Sequence, residues 1–87
     1  MALSEEHLRS ASEVVAAAAS LCDAVALWRA RHPDVRAMVV DALDMRDEAP
    51  ALRVSARSVY LAATDGHCWR VTQRLQEASA LILTQED

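Results

Sequence analysis

The chain has 87 residues, enough for one small domain spanning 1–87 and no more. Thirteen acids against nine bases, all of them arginine, give a net charge of −4, which argues against nucleic acid or an anionic membrane surface as a dedicated partner. Apolar residues make up 53% and aromatics only 3%, so the hydrophobic mass is Ala, Val and Leu, and a chain this short and apolar is expected to finish its core by forming a homodimer.

The first residues, "MALSEEHLRS", carry acids where a secretory signal carries bases, so no targeting segment is read there. Ser4 can cap a helix, with Glu5 and Glu6 in its first turn, where the helix dipole favours negative charge. Leu8, Ala11, Val15, Ala18, Cys22 and Val25 then recur at three- and four-residue spacing, one apolar helix face. Ser20 and Asp23 form a second capping signature, which places a break near Leu21 and a restart. The second piece carries Val25, Leu27 and Trp28 and is expected to stop at His32, because the residue before Pro33 disfavours helical geometry. The longest uncharged run, 14–22, is far too short to span a bilayer.

After Pro33-Asp34, "VRAMVV" (35–40) is read as a strand, with Val35, Ala37 and Val39 on one face and Arg36, Met38 and Val40 on the other. Residues 41–57 have no sustained period and contain Pro50, so they are read as a long loop, functional or mobile, with at most one helical turn around 42–46. Asp65-Gly66 between two apolar runs signals a type I′ turn, and hence a hairpin over 58–64 and 67–72. That turn pairs Thr64 with His67, Ala63 with Cys68 and Ala62 with Trp69. Both hairpin faces are then largely apolar, which predicts cover on both sides: one helix on one, a second helix or another subunit on the other. Thr72 can cap a short helix through Ala78, and "ALILTQ" (80–85) can form a last strand. The fold class expected is α+β: an N-terminal helix, broken near Leu21, packed on a small antiparallel sheet, with a short C-terminal helix and strand.

Three stretches, "RHPDVRAMVVDALDM", "VYLAATDGHCWRVT" and "QEASALILTQ", resemble a small proteobacterial family of unassigned function associated with nitrogen-fixation gene neighbourhoods. The resemblance runs along roughly the whole chain, and its most specific parts are the hairpin and the closing strand. His32 and Ser58 stand where that family is expected to carry aromatic residues. It implies a small α+β accessory protein near a metalloenzyme system and brings no catalytic residues with it.

Candidate chemistry is sparse. His67 and Cys68 are adjacent, so on a strand they point to opposite faces and do not share one ion without a bulge. A zinc site needs about four ligands, and the other cysteine, Cys22, is distant with no CxxC pair. Cys68 is therefore read as a small core residue, with His67 and Cys68 as the metal candidates of the alternative reading, a small metal- or cofactor-binding carrier. Trp28 and Trp69 are read as core anchors. The single glycine lies in the turn, which leaves no phosphate-cradling loop, and no nucleophile–base arrangement can be argued. No enzyme activity and no cofactor is expected. Two groups stand out as partner-binding. One is basic: Arg53, Arg57, Arg70 and Arg74. The other is acidic: Asp44, Asp47 and Glu48. Pairing of these groups within the chain is the alternative. The expected function is a non-enzymatic cytoplasmic interaction protein that binds a protein partner or itself, with no nucleic acid and no membrane.

Overall fold

The computed structural model describes residues 3–65 and 68–86. It has two α-helices and a five-stranded mixed sheet, the α+β class expected. Helix α1 runs Glu5–Ala17 and helix α2 runs Leu21–Arg31. The break between them falls where the second capping signature stands: Ser20 Oγ accepts the Asp23 N–H at 3.1 Å. Helix α2 ends at Arg31, two residues before Pro33, and the C-cap His32 N–H donates to the Trp28 carbonyl at 2.7 Å. The break resets the helical phase, and this corrects one reading. Ala11, Val14, Val15, Ala18, Ala24 and Trp28 are buried, whereas Cys22 has rotated out to solvent.

The strands are β1 (Arg36–Val39), β2 (Leu52–Val54), β3 (Arg57–Asp65), β4 (Cys68–Thr72) and β5 (Ala80–Gln85). Their order is β1-β5-β3, with β1 parallel to β5 and β3 antiparallel to it. On the far edge of β3, β2 pairs with its first residues and β4 with its last, so those two strands lie end to end. The closing run is thus a central strand. Five of its six residues are buried, which suits a stretch with apolar side chains on both faces.

Strand β2 lies inside the segment read as loop. A tight reversal joins Val54 to Arg57, and Ser55 takes φ 55°, a conformation usually left to Gly, Asn or Asp. With serine there, the sequence carries no turn signal. The rest of that segment is anchored through one side chain while most of its residues stay exposed. A 3-10 turn, Ala42–Met45, folds over the sheet, and Met45 is buried against Tyr60 and Ile82. Between β4 and β5 the expected helix shrinks to a 3-10 turn, Leu75–Glu77.

The hairpin register also differs from expectation. Asp65 pairs with Cys68, Thr64 with Trp69 and Ala63 with Arg70, a shift of two residues from the expected pairing. Both registers place the same residues on the same faces, because side chains alternate with period two; hydrophobic patterning does not choose between them.

Both helices pack on one face of the sheet, against Val59, Leu61, Leu81 and Leu83. Among the described residues no second helix covers the other face, contrary to one of the expected arrangements. Its apolar cluster of Tyr60, Ala62, Ala80 and Ile82 is roofed by Met45 and bordered by Met38, Val40 and Val71.

Candidate interaction surfaces

The helix-free side of the sheet collects several of the residues expected to bind a partner. Asp44 lies in the 3-10 turn over this face, and Asp47 and Glu48 follow it directly. Arg53, opposite Ser58 on β3, faces the same side. Arg53 and Glu48 line one surface recess with Leu43, Met45, Tyr60 and Glu86. There Arg53 pairs with Glu86 at 2.7 Å, while the nearest acid to Arg46 is its neighbour Asp47 at 3.9 Å. Exposed pairs of this kind contribute at most about 1 kcal/mol each, so they leave the surface available for other partners.

The same side exposes two large apolar residues. Leu43 is 71% exposed and Trp69 is 45% exposed. The position of Trp69 corrects its reading as a core anchor, and Cys68, expected in the core, is exposed as well. The reason is geometric. Pairing between β5 and β3 ends at Ala62–Ala80, so the outer part of the hairpin runs past both β5 and the helices.

The other three arginines go elsewhere. Arg57 turns to the helix face, where one Nη donates to the Val15 and Ala18 carbonyls at 2.8 and 2.7 Å. The other Nη donates to Ala19 O at 3.0 Å, and Nε to Gln85 Oε1 at 2.9 Å. These carbonyls form the end of α1, whose last turn has no basic residue of its own. Arg57 therefore supplies the missing C-terminal cation from β3. Arg70 and Arg74 both reach Glu77, each at 3.5 Å, and Glu77 also accepts from Thr72 Oγ1 at 3.1 Å. That network ties the β4–β5 connection together. The four arginines thus form three separate local arrangements, and none of them pairs with Asp44, Asp47 or Glu48.

His67 lies outside the described residues. Among the described residues no group of three His, Cys, Asp or Glu is placed to hold a metal ion. The two remaining histidines meet at the helix termini, an arrangement their spacing in sequence does not show. His7 Nδ1 accepts the Ser4 N–H at 3.0 Å, closing the start of α1, and its ring lies 5.1 Å from that of His32. His32 stacks on Trp28 at 4.3 Å, and its Nε2 is 2.9 Å from Ser10 Oγ.

Partial burial of the His32 ring, then the neighbouring His7 and Arg31, lower its pKa below the ordinary 6.5. The folded state therefore favours neutral His32, and below pH 6.5 the unfolded chain binds the extra proton first. Stability from this site is complete above pH 6.5 and falls as the pH drops through the folded pKa. Thermal unfolding of the parent chain should become more acid-sensitive than that of His32→Gln over this range. A difference between the two that does not change with pH would rule the effect out.

Comparison with protein-family models, with curated proteins and with solved structures found no match to this chain. No helix among the described residues is long and apolar enough to cross a membrane.

Proposed function

We propose that this chain is a non-enzymatic interaction protein of the cytoplasm, that it acts as a homodimer, and that it docks on a protein partner. One observation carries the reading: both helices cover a single face of the sheet, and the opposite face has only the 41–50 segment over its apolar cluster. Leu43 and Trp69 stand exposed on that side. A two-fold interface requires a patch complementary to itself. This side offers apolar area together with both signs of charge, from Arg46 and Arg53 to Asp44, Asp47 and Glu48. Two exposed thiols, Cys22 and Cys68, fit a reducing compartment. The resemblance to a family near nitrogen-fixation genes directs the search for the partner towards a metalloenzyme system.

Native mass spectrometry and sedimentation of untagged protein test the pairing. The parent chain should run as a dimer with no metal adduct, and the double variant Leu43→Asp/Trp69→Glu as a folded monomer with unchanged circular dichroism. Leu43 is mostly exposed and Trp69 about half exposed, and neither belongs to a buried cluster, so the fold should tolerate them. A dimer that survives the double variant, or a parent that is monomeric at high micromolar concentration, would refute pairing through this face. Metal retained at fixed stoichiometry would favour a carrier.

A further inference from the structure

A second surface lies at the opposite edge of the sheet, where β1 has no neighbouring strand among the described residues on its outer side. The Val40 N–H donates to Leu83 O at 3.0 Å, which fixes the phase of β1: the backbone groups of Arg36, Met38 and Val40 turn towards β5. Those of Ala37 and Val39 turn outward. Val35, the preceding outward residue, is already satisfied. Its N–H donates to His32 O at 3.1 Å, and its carbonyl accepts Trp28 Nε1 at 2.8 Å. Ala37 and Val39 bond to no other described residue through their N–H and C=O groups. An edge strand is normally blunted by proline, a bulge or an overlying segment. Strand β1 has no proline, and its register with β5 is continuous.

A recess of about 440 Å³ opens beside this edge, between α2 and β1. Val25, Arg29, Asp34, Arg36, Ala37 and Met38 line it. Its two cations straddle the strand: Arg29 comes from the helix above one face, and Arg36 projects from the other, on the side of its partner Ala80. No carboxylate of the described residues lies within 4 Å of either guanidinium, and Asp34 is the only acid in the lining. Self-pairing of β1 would gather two Arg29 and two Arg36 along one seam, a concentration of like charge that disfavours a second copy here.

We infer that the β1 edge binds an extended acidic segment of a partner protein, which adds to the sheet as a further strand. Main-chain hydrogen bonds to Ala37 and Val39 supply affinity, as in other strand-addition complexes. Neighbouring residues of a strand point to opposite faces, so two consecutive acids place one carboxylate towards Arg29 and one towards Arg36. Val39, 48% exposed, offers the apolar contact beside them. Arg36 reaches this surface from the helix-free side, whereas Arg29 and the outward backbone groups of Ala37 and Val39 stand apart from the Leu43 and Trp69 patch proposed for dimerisation.

The test uses fluorescein-labelled nine-residue peptides of alternating Thr and Val, with an adjacent Asp-Glu pair stepped along the series and a Lys-Lys twin for each. Fluorescence polarisation at low salt should show at least one acidic peptide bound about tenfold or more tighter than its twin. Arg29→Glu and Arg36→Glu should each weaken that peptide about tenfold. Ala37→Pro removes an outward N–H that has no internal partner, so it should abolish binding while the circular dichroism is kept. Amide shifts on titration should centre on Ala37 and Val39. The Leu43→Asp/Trp69→Glu variant should bind the peptide as the parent does, which keeps a failure here separate from a failure of dimerisation. Acidic and basic twins binding alike, no acidic peptide binding below about 1 mM, or Arg36→Glu and Ala37→Pro both binding as the parent does would overturn the assignment.

Discussion

Trp28→Ala should cost the fold a large share of its stability. Trp28 is 2% exposed and is the largest side chain in a core otherwise built from Ala, Val and Leu. Removing a buried aromatic ring costs about 3–5 kcal/mol, from lost transfer free energy and the cavity left behind. A domain of this length has only roughly 4–13 kcal/mol in total, at about 0.05–0.15 kcal/mol per residue. Trp28 also joins three elements. Its ring stacks on His32, its indole N–H holds the Val35 carbonyl, and Val35 leads into β1. Trp28→Phe separates these roles. It keeps most of the apolar volume but leaves the Val35 carbonyl without its donor, for a loss of about 1–3 kcal/mol. Urea unfolding followed by circular dichroism gives both values. Emission also tells the two tryptophans apart: Trp28→Phe should leave only the red-shifted signal of exposed Trp69. A loss below about 1 kcal/mol for Trp28→Ala would mean that the ring is not the centre of the core.

Arg57→Ala should cost about 2–3 kcal/mol, far more than an exposed arginine usually does, because three carbonyls at the end of α1 lose a charged donor. The loss should concentrate in α1, seen as faster amide exchange in its last turn while β3 and β5 keep their protection. Arg57→Lys should recover only part of it, since one ammonium does not span carbonyls that the guanidinium reaches through two separate nitrogens. The experiment also decides between two roles. An effect under about 0.5 kcal/mol would return Arg57 to the partner-binding group in which its charge first placed it. The expected effect keeps it as the clamp that holds the helix layer to the sheet.

Several elements were legible because their causes are local. Ser20 and Asp23 signalled the break between the helices from four consecutive residues. His32 marked the stop because proline restricts the residue before it. The "ALILTQ" run announced a strand through composition, and its observed limits are the same six residues. Strand β2 was missed for an equally local reason: three residues are too few to show a period, and Ser55 hides the turn that a glycine would have announced.

The candidate surfaces were harder to read. Grouping arginines by position along the chain brought together Arg53, Arg57, Arg70 and Arg74, which the fold sends to three places. Trp69 and Cys68 looked like core residues because the hairpin pattern is apolar on both faces; they are exposed because β5 stops at the level of Ala62. The open edge of β1 had no signal in the sequence at all, since strand order is not written in any local period.

By itself the sequence determined the α+β class, the helix break and stop, and the alternation that assigns each strand residue to a face. These depend on backbone preferences and side-chain periods within a few residues of each position. The tertiary structure alone decided strand order, hairpin register, which face the helices cover, and the helix-end carbonyls that Arg57 reaches, which lie 38 to 42 residues away in the chain. A hydrophobic pattern states that a side chain will be buried; which element buries it depends on how far each strand extends and what packs beside it.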